Sequence, residues 1–223
     1  MDTFTELQLF ALFAVPVLLA ITVHEAAHGW VAHQLGDHTA HQRGRVTFNP
    51  LRHIDLIGTL LIPALTFFFA GLLFGWAKPV PVNARNLHHP RRDMAVVALA
   101  GPGSNLLMAA LWGFGIQAGL LLDPVNHWFA VPLIYSGAAG VLINVFLMVL
   151  NLVPLLPLDG GRVLNSFLPP RLAAIFSRLE PFGLLILLLL FVSGLLSSVL
   201  LPLVRWTIEL LPGSRIVIDL FFV

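Results

Sequence analysis

Several uninterrupted apolar stretches constrain this chain more than any other feature of its sequence. The first, Leu7–Val23, contains no charged residue, and three further long apolar stretches follow it. A helix needs about 20 apolar residues to cross a bilayer. With 58% hydrophobic and only 10% charged residues, the chain of 223 residues departs far from an ordinary globular domain. The sequence therefore predicts an all-α polytopic membrane protein.

The apolar pattern predicts four spans and one doubtful hydrophobic segment. The spans cover about Phe4–Leu35, Met94–Leu122, Trp128–Leu152 and Phe182–Leu201. The doubtful segment, Leu56–Trp76, is interrupted by glycine and proline, which disfavour a continuous helix. We expect it to form a re-entrant or β-hairpin-like segment between the first two long helices. The total is then about four to six transmembrane helices, depending on this segment and on the C-terminal tail.

Basic residues indicate the orientation, because loops rich in Lys and Arg stay in the cytoplasm. If Leu56–Trp76 dips into the membrane and returns, the three basic loops of the chain share one side. The N-terminus then lies outside, and the first helix ends at the cytoplasmic side. The basic residues of these loops are Arg43, Arg45 and Arg52, then Lys78, Arg85, Arg91 and Arg92, and finally Arg162, Arg171 and Arg178.

The first span ends in a metal-binding pattern, His24-Glu25-Ala26-Ala27-His28. Residues four apart lie on one face of a helix, so the imidazoles of His24 and His28 can share one tetrahedral Zn²⁺. Glu25 lies beside the metal, where its carboxylate can accept a proton from a bound water. The chain contains no cysteine, so any further protein ligand must be His, Asp or Glu. The pattern predicts a hydrolytic zinc centre within a membrane helix.

Asp159 is the expected third ligand. The span Trp128–Leu152 returns to the side of the membrane that carries the two histidines, and Asp159 follows its end. The pair Gly160–Gly161 lets the chain turn beside a metal. A carboxylate at this depth is costly unless it is paired or binds a cation. Two other roles stay open, because Asp159 could cap the following helix or pair with Arg162.

Together, these motifs resemble those of the site-2 protease family of intramembrane zinc metalloproteases. HEAAH at residues 24–28 is only moderately specific alone, but the pattern N-x-x-P-x-x-P-L-D-G follows it at residues 151–160. The G-P-x-x-N element of the family matches residues 101–105. The stretch GWAKPVPVN at residues 75–83 is typical of compact bacterial members. The resemblance covers about residues 15–170 and includes no PDZ-like or CBS regulatory domain.

The resemblance implies a reaction and a set of site residues. The ligands of one Zn²⁺ would be His24, His28 and Asp159. Glu25 would act as the general base. Asn105 and Asn151 would be candidates for binding the substrate backbone or the developing oxyanion, with helix–helix hydrogen bonding as the alternative. The expected reaction is hydrolysis of peptide bonds within or near the transmembrane segments of membrane-protein substrates.

The same resemblance sets expectations for organisation, partners and location. One membrane-embedded protease domain would occupy residues 1–223, with a catalytic core at about 4–170 and a C-terminal helical segment at about 180–223. Its partners would be a transmembrane protein substrate and the lipid bilayer, and the net charge of +1 gives no indication of nucleic acid. The protein would lie in the bacterial inner (cell) membrane, with its site towards the cytoplasm. Residues 56–76 and 78–83 are candidates for capturing an unwound substrate by β-addition.

Two other functions stay open on the sequence alone. A membrane metalloprotease of the HtpX or Ste24 type would use a glutamate as third ligand, for which Glu180 and Glu209 are available. A non-enzymatic metal transporter would also place His and Asp inside membrane helices. A transporter would leave Glu25 without a clear role.

Overall fold

A computed structural model describes residues 5–53, 55, 58, 61 and 78–222, without the side chains of residues 6, 7 and 9–11. Across these residues the ordered elements are helices and no strand occurs. The helices are α1 (Glu6–Gln34), α2 (Thr39–Gln42), α3 (Pro90–Leu122), α4 (His127–Asn151), α5 (Asp159–Phe167), α6 (Pro170–Ser177), α7 (Glu180–Val192), α8 (Leu195–Glu209) and α9 (Ser214–Phe221). Three of them, α1, α3 and α4, are long and apolar enough to cross a membrane, or four if the bent pair α6–α7 is one broken span. The predicted all-α polytopic membrane fold is confirmed.

α1 is a continuous helix over nearly the range predicted for the first span. It begins with a capping box, in which Thr5 Oγ1 accepts from Gln8 N (3.3 Å) and Gln8 Oε1 accepts from Thr5 N (2.9 Å). This exchange satisfies N–H groups that have no partner inside the first helical turn. Because the helix runs unbroken to Gln34, His24 and His28 lie on one of its faces.

α3 and α4 pack closely where small residues allow it. A Cβ added to Gly137 of α4 would lie 2.7 Å from Ile116 Cγ1 and 3.1 Å from the carbonyl oxygen of Trp112, both on α3. Small residues at such crossings let membrane helices make the van der Waals contacts that hold them together. The close approach of α3 and α4 fixes where the C-terminal end of α4 arrives.

The single span predicted over Phe182–Leu201 is wrong as a continuous helix. α7 ends at Val192, and α8 begins at Leu195. Gly194 between them has φ +75°, a left-handed conformation that interrupts a helix and that glycine adopts without strain. The C-terminal segment is therefore built from short helices rather than from one span followed by a tail.

The doubtful hydrophobic segment lies outside the described residues, except for Gly58 and Leu61. Its predicted re-entrant or hairpin-like course stays a prediction.

The C-terminal helices pack against α3 and α4 and support the loop before α5. Ile116, Val145, Ile208 and Val217, from α3, α4, α8 and α9, are all fully buried in one apolar core. α7 reaches the loop through Gly183, where an added Cβ would lie only 1.7 Å from the carbonyl oxygen of Leu156. The helices after residue 180 thus hold the turn that leads into α5.

Candidate metal centre

Three potential metal ligands converge where α1 meets the start of α5. The Nε2 atoms of His24 and His28 are 3.0 Å apart, and they lie 3.2 and 3.3 Å from Asp159 Oδ2. Ligands held about 2.0–2.1 Å from a tetrahedral Zn²⁺ lie about 3.3 Å from one another. The spacing therefore matches three ligands of one zinc ion. Within the described part of the chain, no other group of three His, Asp or Glu residues converges in this way.

The outer nitrogens of the two histidines are hydrogen-bonded, and this determines which nitrogen faces the cluster. His24 Nδ1 lies 2.5 Å from Asn105 Oδ1, and His28 Nδ1 lies 2.7 Å from the carbonyl oxygen of Val97. Carbonyl oxygens only accept hydrogen bonds, so each Nδ1 carries the proton of a neutral ring. Each Nε2 then directs a lone pair into the cluster, which is the form in which histidine binds metals.

Asp159 contributes the negative charge of the cluster. Its Oδ2 is buried without a hydrogen-bond partner among the described residues. The N-cap of α5 is Leu158, so Asp159 does not cap this helix. Its carboxylate lies within ion-pair distance of the two histidines and is not paired with Arg162. A buried carboxylate oxygen facing two imidazole lone pairs is unfavourable unless a cation lies between them. The residues present therefore fit Zn²⁺.

One face of α3 supports the histidine pair. Val97, Gly101 and Asn105 are spaced four residues apart, so they lie along the same side of this helix. A Cβ on Gly101 would lie 2.5 Å from both His24 Cε1 and His28 Nε2. Only glycine at this position lets α3 approach closely enough for its flanking residues to bind both rings.

Asn105 is held in turn by a second asparagine, Asn144 on α4. Asn105 Nδ2 donates to Asn144 Oδ1 (2.9 Å) and to the carbonyl oxygen of Ala20 (3.4 Å). Asn144 Nδ2 in turn donates to the carbonyl oxygen of Gly140 (2.8 Å). Both asparagines are buried. Because Nδ2 of Asn105 faces these acceptors, its Oδ1 faces His24. These contacts favour a role for Asn105 in orienting the ring of His24. Its predicted role in binding substrate stays a prediction.

Asn151 has no described contact with the cluster. Its Nδ2 donates to the carbonyl oxygen of Leu147, one turn earlier in α4 (3.0 Å), and its side chain is half-buried. Its role in binding substrate stays a prediction.

Glu25 is hydrogen-bonded to the segment of residues 78–83. Glu25 Oε2 accepts a hydrogen bond from the backbone N–H of Val80 (2.7 Å). The Val80 side chain is buried beside α1, where a Cβ on Gly29 would lie 3.1 Å from Val80 Cγ1. The segment expected to capture substrate thus packs on α1 next to the HEAAH motif, although it is not paired as a strand in the described residues.

A second contact fixes the end of this segment. Asp37, just beyond α1, accepts hydrogen bonds from the N–H of Asn83 (2.6 Å), from Asn86 Nδ2 (3.0 Å) and from Thr39. Asp37 is fully buried, so these donors replace water around its carboxylate. The segment is therefore anchored at Val80 and again at Asn83.

The glutamates considered as alternative ligands lie elsewhere. Glu180 is exposed at the start of α7. Glu209 is exposed at the end of α8, where it pairs with Arg205 (3.2 Å). Neither belongs to the group of converging ligands.

Sequence reasoning did not identify three of the groups that shape this site. Asn144 carries a detectable signal, since a lone amide within an apolar span is costly unless it is bonded. Gly101 stands out in the sequence only as part of the G-P-x-x-N element. The carbonyl oxygen of Val97 has no side-chain signature, so sequence inspection had no means of finding it.

The chain is similar over most of its length to proteins named as zinc metalloproteases. It is 36% identical over 215 residues to "Putative zinc metalloprotease YwhC" of Bacillus subtilis, covering 92% of each chain. It is 30% identical over 194 residues to "Putative zinc metalloprotease Rip2" of Mycobacterium tuberculosis H37Rv, covering 86% of this chain and 71% of that protein. The Rip2 of Mycolicibacterium smegmatis is 28% identical over 208 residues, covering 92% of this chain and 77% of that protein. No family model and no solved structure matches the chain. The sequence similarity and the converging ligands agree: this chain belongs to the zinc metalloprotease family that contains YwhC and Rip2, with Zn²⁺ as its cofactor.

Proposed function

We propose that this chain is an intramembrane-cleaving metalloprotease of the site-2 protease type. It would hydrolyse peptide bonds within or near the transmembrane segments of other membrane proteins. The observation that carries the proposal is the position of His24 and His28. They converge with Asp159 while lying within α1, a helix long and apolar enough to cross the membrane. A protease acting on soluble substrates gains nothing from placing its ligands in a span.

The site residues receive the following roles in this proposal. Zn²⁺ bound by His24, His28 and Asp159 would supply a Lewis acid that polarises the scissile carbonyl and lowers the pKa of the attacking water. Glu25 accepts the proton of that water as its oxygen bonds to the carbonyl carbon. It returns the proton to the amide nitrogen as the carbon–nitrogen bond breaks.

Neighbouring groups position these residues. The N–H of Val80 holds Glu25 Oε2 through a charge-assisted hydrogen bond, which leaves Oε1 to accept the proton. Asn105 and the carbonyl of Val97 keep the two imidazoles in the tautomer whose Nε2 is free. In this proposal Asn105 is a positioning residue, and Asn151 remains the candidate for contact with the substrate backbone.

The wider organisation follows from the same contacts. We propose one protease domain over the whole chain, supported by the packing of Gly183 of α7 against the loop before Asp159. The basic residues of the three loops support a site on the cytoplasmic side of a bacterial inner membrane.

The test compares Glu25→Gln with the unaltered protein and with Glu180→Gln, a matched change at an exposed glutamate. Each purified protein is incubated with a single-span membrane substrate, and its zinc content is measured. We expect Glu25→Gln to retain zinc and to lose cleavage by about 100-fold or more, the contribution typical of a general base. Glu180→Gln should cleave normally.

Two results would contradict separate parts of the proposal. Equal cleavage by Glu25→Gln would remove Glu25 from the reaction. If mass spectrometry places every cleavage in soluble regions remote from the span, the intramembrane assignment is wrong while the metalloprotease assignment stands.

A further inference from the structure

A cavity of about 480 Å³ lies beside the segment of residues 78–83, and its wall is strongly basic. None of the described residues that line it is acidic. The lining residues are Arg43, Arg45, Leu51, Arg52, Lys78, Pro79 and Pro81. We propose that this cavity binds the phosphate headgroup of an anionic phospholipid.

Arg45 holds the framework of the cavity rather than a ligand. Its guanidinium donates to the carbonyl oxygens of Arg52 and Lys78, the latter at 2.7 Å. The N–H of Lys78 donates to the carbonyl oxygen of His53 (2.9 Å), which joins the same two stretches of backbone. These bonds bring Arg52 and Lys78 to one cavity although they are 26 positions apart in the sequence.

The other three cations are available to an anion. Arg43, Arg52 and Lys78 have exposed side chains, and no ion pair joins any of them to a carboxylate in the described part of the chain. Like charges gathered around one cavity repel one another, and a phosphate relieves this repulsion while accepting several charge-assisted hydrogen bonds. The cavity thus has the charge and the donors for a phosphate group.

The surroundings of the cavity favour a lipid over an acidic peptide. The cavity lies on the connection between the end of α1 and the start of α3, two helices that can cross the membrane. Leu51 lines it and is 73% exposed, and Phe48, three residues earlier in the chain, is 71% exposed. Cations beside exposed apolar side chains are typical of segments that lie at the surface of an anionic membrane. Exposed Leu and Phe are costly in water, whereas acyl chains would cover them.

The cavity lies next to the part of the chain that binds Glu25. Lys78 and Pro79 immediately precede Val80, whose N–H binds Glu25. The headgroup would therefore contact the same segment that holds the glutamate.

The test is a lipid titration of the full-length protein in neutral detergent, followed by native mass spectrometry. Phosphatidylglycerol is the anionic probe, and phosphatidylcholine is the zwitterionic comparison. The cavity variant is Arg43→Gln/Arg52→Gln/Lys78→Gln. The control, Arg92→Gln/Arg171→Gln/Arg178→Gln, removes three charges at positions that do not line the cavity.

We expect the unaltered protein to retain one phosphatidylglycerol in preference to phosphatidylcholine. The cavity variant should bind phosphatidylglycerol about 100-fold more weakly, because each cation near an anionic lipid contributes roughly fivefold. The control should bind like the unaltered protein. Zinc content reports correct folding in each case. If the triple variant does not retain zinc, Lys78→Gln alone provides the test, with an expected loss of about fivefold.

Several results would overturn the proposal. Equal losses in the two triple variants would mean that the lipid responds to diffuse surface charge. The absence of a preference for phosphatidylglycerol in the unaltered protein would exclude a headgroup site. An acidic peptide that binds the cavity and is not displaced by phosphatidylglycerol would assign the cavity to a peptide. Lipid retention needs no substrate, so it is independent of the proposed proteolysis.

Discussion

The structure predicts that a single added methyl group, in Gly101→Ala, strongly weakens zinc binding. The added methyl carbon would lie 2.5 Å from His24 Cε1 and His28 Nε2, whereas ordinary contacts begin at 3.4 Å. The shortfall is 0.9 Å, the difference between those two distances. A protein metal site tolerates errors in ligand distance of only about 0.2 Å.

Neither response to the added methyl preserves the site. If the histidine rings rotate away, their Nε2 atoms leave the position that matches Asp159 Oδ2. If α3 moves back instead, Asn105 and Val97 move with it, because they lie on the same face of that helix, and both bonds to the rings are lost. Loss of one such supporting bond typically costs 10–100-fold in metal affinity. We therefore expect zinc affinity to fall by about 100-fold or more.

The assay is zinc affinity by chelator competition, and the matched control is Gly103→Ala. Gly103 lies on the same helix as Gly101, two positions away, and a Cβ on it would meet no atom of the described residues within 4 Å. This control should keep its zinc affinity and gain up to about 1 kcal/mol in the free energy of unfolding, because alanine suits a helix interior better than glycine. Normal zinc affinity in Gly101→Ala, or an equal loss in Gly103→Ala, would refute the reasoning.

Further substitutions test the roles of Val80, Asn144 and Asp37, with Val80→Ala and Asn151→Ala as controls. Val80→Pro removes the N–H that binds Glu25, so cleavage should fall about 10–100-fold while zinc is retained, since hydrogen bonds to charged groups contribute roughly 1.5–3 kcal/mol. Val80→Ala keeps the N–H and is the control. Equal cleavage rates in the two variants would argue against a role of this N–H in holding Glu25. Asn144→Ala should weaken zinc binding about 10-fold, because it releases Asn105, which is bonded to His24. Asn151→Ala should leave zinc binding unchanged. A larger loss in Asn151→Ala than in Asn144→Ala would mean that Asn144 and Asn105 do not orient His24. Burial raises the pKa of Asp37, but hydrogen bonds from Thr39, Asn83 and Asn86 outweigh this effect and hold the pKa below its usual 3.8. The stability from ionised Asp37 is therefore present above pH 3.8 and is lost as pH falls through the lower folded-state pKa. Asp37→Asn should lower the Tm at neutral pH, and the difference in Tm from the unaltered protein should shrink in acid. A difference in Tm that does not depend on pH would contradict this reasoning.

Local helix geometry made the first part of the site predictable. Two histidines four residues apart lie on the same face of any regular helix, so recognising the apolar span was enough to place His24 beside His28. Asp159 needed one more step, because the span before it had to return to the same side of the membrane. Both expectations depend on periodicity and span counting, which hydropathy and residue spacing report directly.

Prediction failed where a short interruption or a distant neighbour decided the structure. The apolar stretch Phe182–Leu201 reads as one span because a hydropathy window of about 19 residues averages over a single Ser–Gly step. The left-handed φ of Gly194 nevertheless ends one helix and allows another to begin.

By itself, the sequence determined that α1 is long and apolar enough to cross a membrane and that it presents two histidines and a glutamate on one stretch of helix. Only the tertiary structure decided that Gly101 gives these histidines clearance, that Asn144 holds Asn105 against His24, and that the N–H of Val80 binds Glu25 from 55 positions away. The difference has one physical cause. Periodicity follows from backbone geometry within a few residues, whereas clearances and backbone hydrogen bonds between helices depend on how separate parts of the chain are placed in space.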